Sequence, residues 1–341
     1  MIQYYHHDKP LLLESGEEIR DLVIAYHVFG TPAPDGSNVV WVCHALTANS
    51  DVSDWWPHTV EEGRFLDPNL HCIVCANVLG SCYGTTGPLS VNSATGKPWF
   101  RSFPKITIRD VVSCHRILAK ALGFKRMHAI VGSSVGGFQA LEWAVEEPDR
   151  FGRIALIATD AYASPWTIAI DETQRMSITS DITFFDDVPE GGARGLAAAR
   201  ALGLLTYRGG EGYNRTQQDA PHPDDELPEV HRACTYQRYQ GEKLVRRFDA
   251  YSYTAILDSF DTHDVGRGRG GRAAALSRLT MPVIVVNITT DIIFTEPEMR
   301  QLASMIPSAE FVQIESPFGH DGFLVEADLL NSILYPFING K

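Results

Sequence analysis

The sequence Met127-His-Ala-Ile-Val-Gly-Ser-Ser-Val-Gly-Gly-Phe-Gln-Ala-Leu-Glu-Trp-Ala-Val145 holds a short apolar run, a glycine-rich turn and a helical stretch in direct succession. Met127 to Val131 suits a buried strand, and Phe138 to Val145 has helical spacing. Between them, Gly132-Ser133-Ser134-Val135-Gly136 fits the pattern G-x-S-x-G. That pattern marks a strand-to-helix turn sharp enough to hold its serine in a strained backbone conformation. Side chains at the flanking glycines would collide with the adjoining strand and helix, and Gly137 lets the helix pack closely. The letters alone are weak evidence, because glycine and serine are common. The strand before and the helix after supply the specificity; a Gly/Ser turn without chemistry is the competing account. Ser133 occupies the x position and should point away from any cleft.

Outward from this turn, strand-like and helix-like segments alternate. Leu22 to His27, Val39 to Cys43 and Cys72 to Val78 are apolar runs rich in β-branched residues, Ile108 to Leu122 is spaced as a helix, and Ile154 to Ala158 is the next strand. The alternation predicts a mostly parallel sheet with helices on both faces. From about Asp160 to Thr280 no buried strand is evident. That region holds an alanine-rich helical stretch (Ala193 to Leu205), a polar, proline-containing stretch (Thr216 to Pro228) and a Gly/Arg-rich loop (Gly266 to Arg272). The alternation resumes with Pro282 to Asn287, a helix from Glu296 to Met305, a strand at Phe311 to Ile314 and a last helix from about Asp321. The expected organisation is one sheet domain, residues 1–160 and 281–341, split by a mainly helical lid insertion at 161–280. Together with the serine turn, this is the α/β-hydrolase fold.

Composition narrows the function classes. The 341 residues are 44% hydrophobic and 21% charged, as in a globular protein with a substantial core. The net charge of -13 argues against nucleic acid as a partner, which requires a basic face. No run reaches the roughly 18 apolar residues of a spanning helix, and the polar Met1 to Pro10 lacks the apolar centre of a signal peptide. No membrane association and a cytoplasmic location are therefore expected. Cys72 and Cys75 form a C-x-x-C, but inside the strand-like His71 to Val78 and without a second Cys/His pair, so no metal is expected.

A serine hydroxyl needs a base, and the base an orienting acid. In this fold the chain order is Ser, then Asp or Glu, then His. Asp291 follows Val283-Ile-Val-Val-Asn-Ile288 by a short loop, and His320 follows the last strand within Ser316-Pro-Phe-Gly-His320. Of twelve histidines only His320 stands at such a loop; His44 precedes the serine and suits the turn after an early strand. The oxyanion of acyl transfer needs two donors. The candidates are the backbone N–H of Val135 and that of Leu46, in Cys43-His-Ala-Leu-Thr47; an ordinary polar loop is the alternative for the latter segment.

Further segments carry a family resemblance. They are His44-Ala-Leu-Thr47, Asn77-Val-Leu-Gly-Ser-Cys-Tyr-Gly-Thr-Thr-Gly-Pro88, Thr95-Gly-Lys-Pro98, Phe103-Pro-Lys-Ile-Thr-Ile-Arg-Asp110, the serine turn through Trp143, Thr206-Tyr-Arg208, Tyr239-Gln-Gly241, Arg247-Phe-Asp249, Asp261-Thr-His-Asp264 and Gly319-His-Asp-Gly-Phe-Leu324. In this order, from near Ala25 to the C-terminus, they resemble the homoserine O-acetyltransferase family. The resemblance implies transfer of acetyl from acetyl-CoA, as co-substrate without a bound cofactor, to the hydroxyl of L-homoserine through an acyl-Ser134, in methionine synthesis. It also implies a homodimer through the lid. Arg208 matches the family's carboxylate-binding arginine, with a solvated lid arginine as the plainer alternative. Asp321 matches the residue that meets the ammonium, although an N-cap of the final helix explains it equally. Thr47 and Tyr213 are further substrate-contact candidates. Gly266-Arg-Gly-Arg-Gly-Gly271 lacks the preceding strand of a dinucleotide loop; it reads as a surface loop or a basic loop near the CoA phosphates.

Two departures bear on the acyl pocket. Ala48 stands where many relatives have glycine, and the turn reads Gly-Ser-Ser-Val where Gly-Gly-Ser-Met is frequent. They leave open a homoserine or serine O-succinyltransferase. An esterase or thioesterase, with water as acceptor, is the rival of another class, and a non-catalytic binding protein a third.

Overall fold

The computed structural model describes residues 1–220 and 230–340. Among the described residues, eight strands form the main sheet: β1 (Gln3–His6), β2 (Val23–Phe29), β3 (Val39–Cys43), β4 (Cys72–Ala76), β5 (Ala129–Ser133), β6 (Ile154–Ile157), β7 (Val283–Ile288) and β8 (Ala309–Ile314). Their order across the sheet is β1-β2-β4-β3-β5-β6-β7-β8. From β4 to β8 all neighbours are parallel, while β2 pairs antiparallel with both β1 and β4.

The strands read as unbroken apolar runs because both faces of the sheet are covered. Along β3, Val39, Trp41 and Cys43 enter one core and Val40 and Val42 the other. The first core is closed by α1 (Ile108–Ala121), α2 (Val135–Glu146) and, further on, α8 (Glu296–Ser304); the second by α9 (Ala327–Asn339), through Leu330, Leu334 and Ile338. Helix α1 starts at a capping box in which Thr107 accepts from the Asp110 N–H and Asp110 accepts from the Thr107 N–H. Cys72 and Cys75 belong to opposite cores, three positions apart on one strand, so they cannot share an ion.

Between β6 and β7 the chain leaves the sheet and builds α3 (Pro165–Thr179), α4 (Ala193–Tyr207), α5 (Gly210–Thr216), α6 (Arg232–Val245) and α7 (Ala250–Asp261). Helix α4 packs against both α3 and α6, and Ile178, Leu196, Leu244 and Tyr253 extend the first core upward. The polar stretch Thr216 to Pro228 lies mostly outside the described residues. The Gly/Arg-rich loop is tied down by ion pairs, with Arg269 on the buried Glu142 carboxylate and Arg267 on Glu14 at 2.7 Å. Sequence reading passed over β1 and two hairpins of two-residue strands, Leu11–Leu12 with Glu18–Ile19 and Val91–Asn92 with Lys97–Pro98. No described helix is long and apolar enough to cross a membrane.

Candidate active site

The G-x-S-x-G turn links β5 to α2. Ser134 has φ 55 and ψ -127, a conformation that side chains avoid unless the surroundings impose it. Here the Ser134 N–H is held by the Ile157 carbonyl at 2.9 Å, and the Gly137 N–H returns to the Ser134 carbonyl at 2.9 Å. Two glycines make the approach feasible: a Cβ on Gly136 would fall onto the Cys43 carbonyl, and one on Gly132 onto the Gly136 backbone. Ser133 is fully buried, and its hydroxyl finds no protein partner among the described residues.

Ser134 Oγ lies 2.8 Å from His320 Nε2, and His320 Nδ1 lies 2.7 Å from Asp291 Oδ2. The carboxylate only accepts, so Nδ1 carries the proton and Nε2 is left to accept the serine O–H. The other Asp291 oxygen accepts from the N–H groups of Ile293 (2.8 Å) and Phe294 (3.2 Å), which fixes the carboxylate in place. Burial works against a charge on His320. The Asp291 carboxylate and its hydrogen bond, with Asp321 adding to them, outweigh it and hold the imidazole above its ordinary pKa. Phe294 and Phe323 flank the ring, with centroids at 5.6 and 5.3 Å.

Ser134 and His320 open into a cavity of about 470 Å³ that Leu46, Thr47 and Val135 also line. Val135 is the first residue of α2, whose early N–H groups have no intrahelical acceptor. The turn bearing Leu46 is held from behind by His44. The Val78 N–H donates to His44 Nε2 at 3.1 Å, so Nδ1 carries the proton and reaches the Ala45 carbonyl at 2.9 Å. Burial pushes this imidazole down to about 4 and keeps it neutral. His44 is therefore a structural group, consistent with its place after an early strand.

Arg208 and Asp321 meet on the cavity wall, with Nε 2.9 Å from Oδ2. Asp321 does occupy the N-cap position of a short helix, Gly322–Val325, but makes no side-chain cap bond. Its carboxyl is raised by burial, against which the Arg208 guanidinium pulls. Arg208 is half-buried rather than a free surface group. Tyr213 is placed differently from the expectation. It lines a neighbouring cavity of about 170 Å³ that, among the described residues, shares only Arg208 with the first. It sits on α5, past the turn of the chain at Gly209, where its ring edges Tyr236 and its hydroxyl reaches toward the Ala233 carbonyl at 3.5 Å. The Gly266–Gly271 loop does not line the cavity either.

The insertion supplies wall residues to which sequence reading gave no role: Asp171 and Arg200 from α3 and α4, Tyr207, Lys243 from α6, and Arg247 after it. Tyr207 and Arg247 fall inside segments that carried the family resemblance. Asp171 and Arg200 sit in helical text with no motif. Burial, then the neighbouring Asp261, raises the Asp171 carboxyl well above the usual range.

Residues 38–327 match the family model described as alpha/beta hydrolase fold. A homoserine O-acetyltransferase of Cyclobacterium marinum is 40% identical over 335 residues, covering 98% of this chain and 94% of the relative. Among solved structures, a homoserine O-acetyltransferase from Bacillus anthracis superposes with a TM-score of 0.91 at 22% identity, covering 99% of this chain and 97% of that one. The acetyl esterase MekB does so with 0.87 at 25%, covering 99% and 97%. The chain is thus an acyl-transferring enzyme built on the α/β-hydrolase fold. Within that fold it belongs to the homoserine O-acetyltransferase family.

Proposed function

We propose that the protein transfers the acetyl group of acetyl-CoA to the side-chain hydroxyl of L-homoserine through an acyl-Ser134 intermediate, a step that serves methionine synthesis. One observation carries the reading beyond hydrolysis. The cavity lined by Ser134 and His320 also presents a cation and an anion side by side, Arg208 and Asp321, the complement of an amino-acid zwitterion.

In the first half-reaction Ser134 Oγ attacks the thioester carbonyl and its proton passes to His320 Nε2. The oxyanion develops toward the N–H groups of Val135 and Leu46, the C–S bond breaks, and the thiolate leaves with the proton. In the second, the homoserine hydroxyl gives its proton to His320 and attacks the acyl carbonyl, and Ser134 Oγ departs and is reprotonated. Arg208 grips the carboxylate and Asp321 the ammonium, which brings the hydroxyl, and not water, to the acyl carbon. Thr47, on the cavity wall, is a further substrate contact. Exposed Met176, Ile182 and Leu205 on the insertion suit its use as a homodimer contact.

The esterase reading is kept because an acetyl esterase shares the fold and the same serine chemistry serves both. The test is CoA release from acetyl-CoA and from succinyl-CoA, each with and without L-homoserine. Release that needs homoserine, favours acetyl-CoA and drops on the order of 10⁵-fold or more in Ser134→Ala supports the proposal. Homoserine-independent release makes the enzyme a thioesterase. A preference for succinyl-CoA changes the donor and leaves the acceptor standing.

A further inference from the structure

Arg247 leaves the helical insertion and reaches the core turn that follows β3. Its Nη1 donates to the Thr47 carbonyl oxygen and to the Tyr83 hydroxyl, both at 2.5 Å, and its Nη2 lies 3.5 Å from Thr47 Oγ1. The Thr47 carbonyl belongs to the same peptide unit as the Ala48 N–H, which donates to the Ala45 carbonyl at 3.1 Å. That unit is therefore gripped at both ends, its N–H by the turn itself and its oxygen by Arg247. Leu46 is the second residue of the turn so closed, and a peptide plane fixed at one corner of a four-residue turn limits the others.

The arginine is itself well anchored. Its neighbour Phe248 is buried, edging Tyr83 at 5.6 Å and Tyr253 at 5.9 Å. The Tyr83 carbonyl accepts from Asn77 Nδ2 at 2.7 Å, and Asn77 Oδ1 accepts from the Ser50 N–H at 2.7 Å, which ties Tyr83 to the far end of the same core loop. One guanidinium thus joins the insertion, the loop after β4 and the turn carrying Leu46.

We infer that Arg247 is a positioning residue for acyl transfer: by holding the Thr47–Ala48 peptide it sets the Leu46 N–H where the oxyanion forms, so acylation depends on the insertion being docked. The inference rests on the acyl-Ser134 reading above. Oxyanion donors act only when fixed in advance, and a displacement of about 1 Å costs on the order of 100-fold in rate.

The experiment compares wild type, Arg247→Met, Arg247→Lys and Tyr83→Phe in the acylation of Ser134 by acetyl-CoA and by p-nitrophenyl acetate, which carries no phosphate. Thermal melting is followed alongside. In Arg247→Met the acylation rate falls by roughly 10- to 100-fold with both donors alike, while KM for acetyl-CoA stays within about threefold. Arg247→Lys, which keeps one charge-assisted bond, recovers part of the loss, and Tyr83→Phe, which removes one anchor, falls between wild type and Arg247→Met. A loss confined to acetyl-CoA and expressed in KM makes Arg247 a phosphate contact and overturns the inference; so do equal rates for wild type and Arg247→Met. Should Arg247→Met fail to fold, unchanged acylation in both Arg247→Lys and Tyr83→Phe overturns it. A wild-type protein that acylates with neither donor overturns the acyl-transfer reading itself.

Discussion

Arg208 and Asp321 are bound to each other: Nε stands 2.9 Å from Oδ2, yet the Nε–H is not aimed at an acceptor among the described residues. The pair is held by charge more than by an aligned hydrogen bond, which leaves the Arg208 Nε–H free to donate to a bound carboxylate. A zwitterion placed between them exchanges one ion pair for two. Removing either charge should raise KM for homoserine, or lower kcat/KM, by about 30-fold or more, the worth of a charged hydrogen bond of 2–3 kcal/mol. The acylation half-reaction, followed by p-nitrophenol release, should change far less in Arg208→Met and Asp321→Asn. Because the two groups also hold one another, the double variant should lose less than the sum of the single losses. Loss of acylation equal to loss of transfer would remove both residues from acceptor binding.

The pH profile follows from His320. The base must be neutral to take the serine proton, and Asp291 holds its pKa above the ordinary histidine value despite burial. Activity should therefore rise with pH through a limb lying above about 6.5. In Asp291→Asn the imidazolium loses its carboxylate, so the limb should move to lower pH while kcat drops on the order of 10³- to 10⁴-fold. An acid limb that stays in place in Asp291→Asn would assign it to another group.

The serine turn makes a steric prediction. A Cβ at Gly136 would fall onto the Cys43 carbonyl, in backbone that has nowhere to go. Gly136→Ala should destabilise the fold by about 3 kcal/mol or displace Ser134 and silence it. Gly210, with open space around its Cβ position, is the control, and Gly210→Ala should leave the urea midpoint nearly unchanged. Equal midpoints for the two variants would mean that the turn is not closely packed.

How much of this was legible in the sequence depended on which force decided each element. Strands β3 to β7 are buried on both faces, so their apolar runs announced them to within about two residues. The edge strand Gln3–His6 is mostly exposed, and its polar text gave no such signal. Ser134, Asp291 and His320 each stand at the end of a readable strand, so chain order alone brought them together. Residues of the insertion had no such frame. Tyr213 lies five positions after Arg208 and looks like its companion in sequence. The turn at Gly209 puts it on the other side of the arginine. Arg247 could not be read as a partner of Thr47, 200 positions away, because only the packing of Phe248 against Tyr83 brings it there.

His44, His115 and His263 contribute to the response of stability to acid. Burial pushes His44 and His115 down to about 4 and His263 to about 3, so all three are neutral in the folded protein, while the unfolded chain binds their protons near 6.5. A depressed folded pKa contributes stability that is present above the unfolded value and is lost as pH falls toward the folded one. Asp160 acts in the opposite sense. Burial raises it to about 7, so it favours the folded state as pH drops from 7 toward 4, and other buried carboxyls raised in the same direction, Asp171 and Asp321 among them, act with it. His263 is the histidine to isolate, because it is stacked on Phe138 at 4.1 Å and a phenyl ring keeps that contact. His263→Phe should melt like wild type or higher at pH 7.5, and should lose less stability on going to pH 4. The difference is on the order of 3 kcal/mol for one proton over about 2.5 pH units. Melting curves taken by circular dichroism across pH 4 to 7.5 decide it. If the two proteins lose stability in parallel, His263 does not resist protonation in the fold, and the acid response comes from the remaining groups.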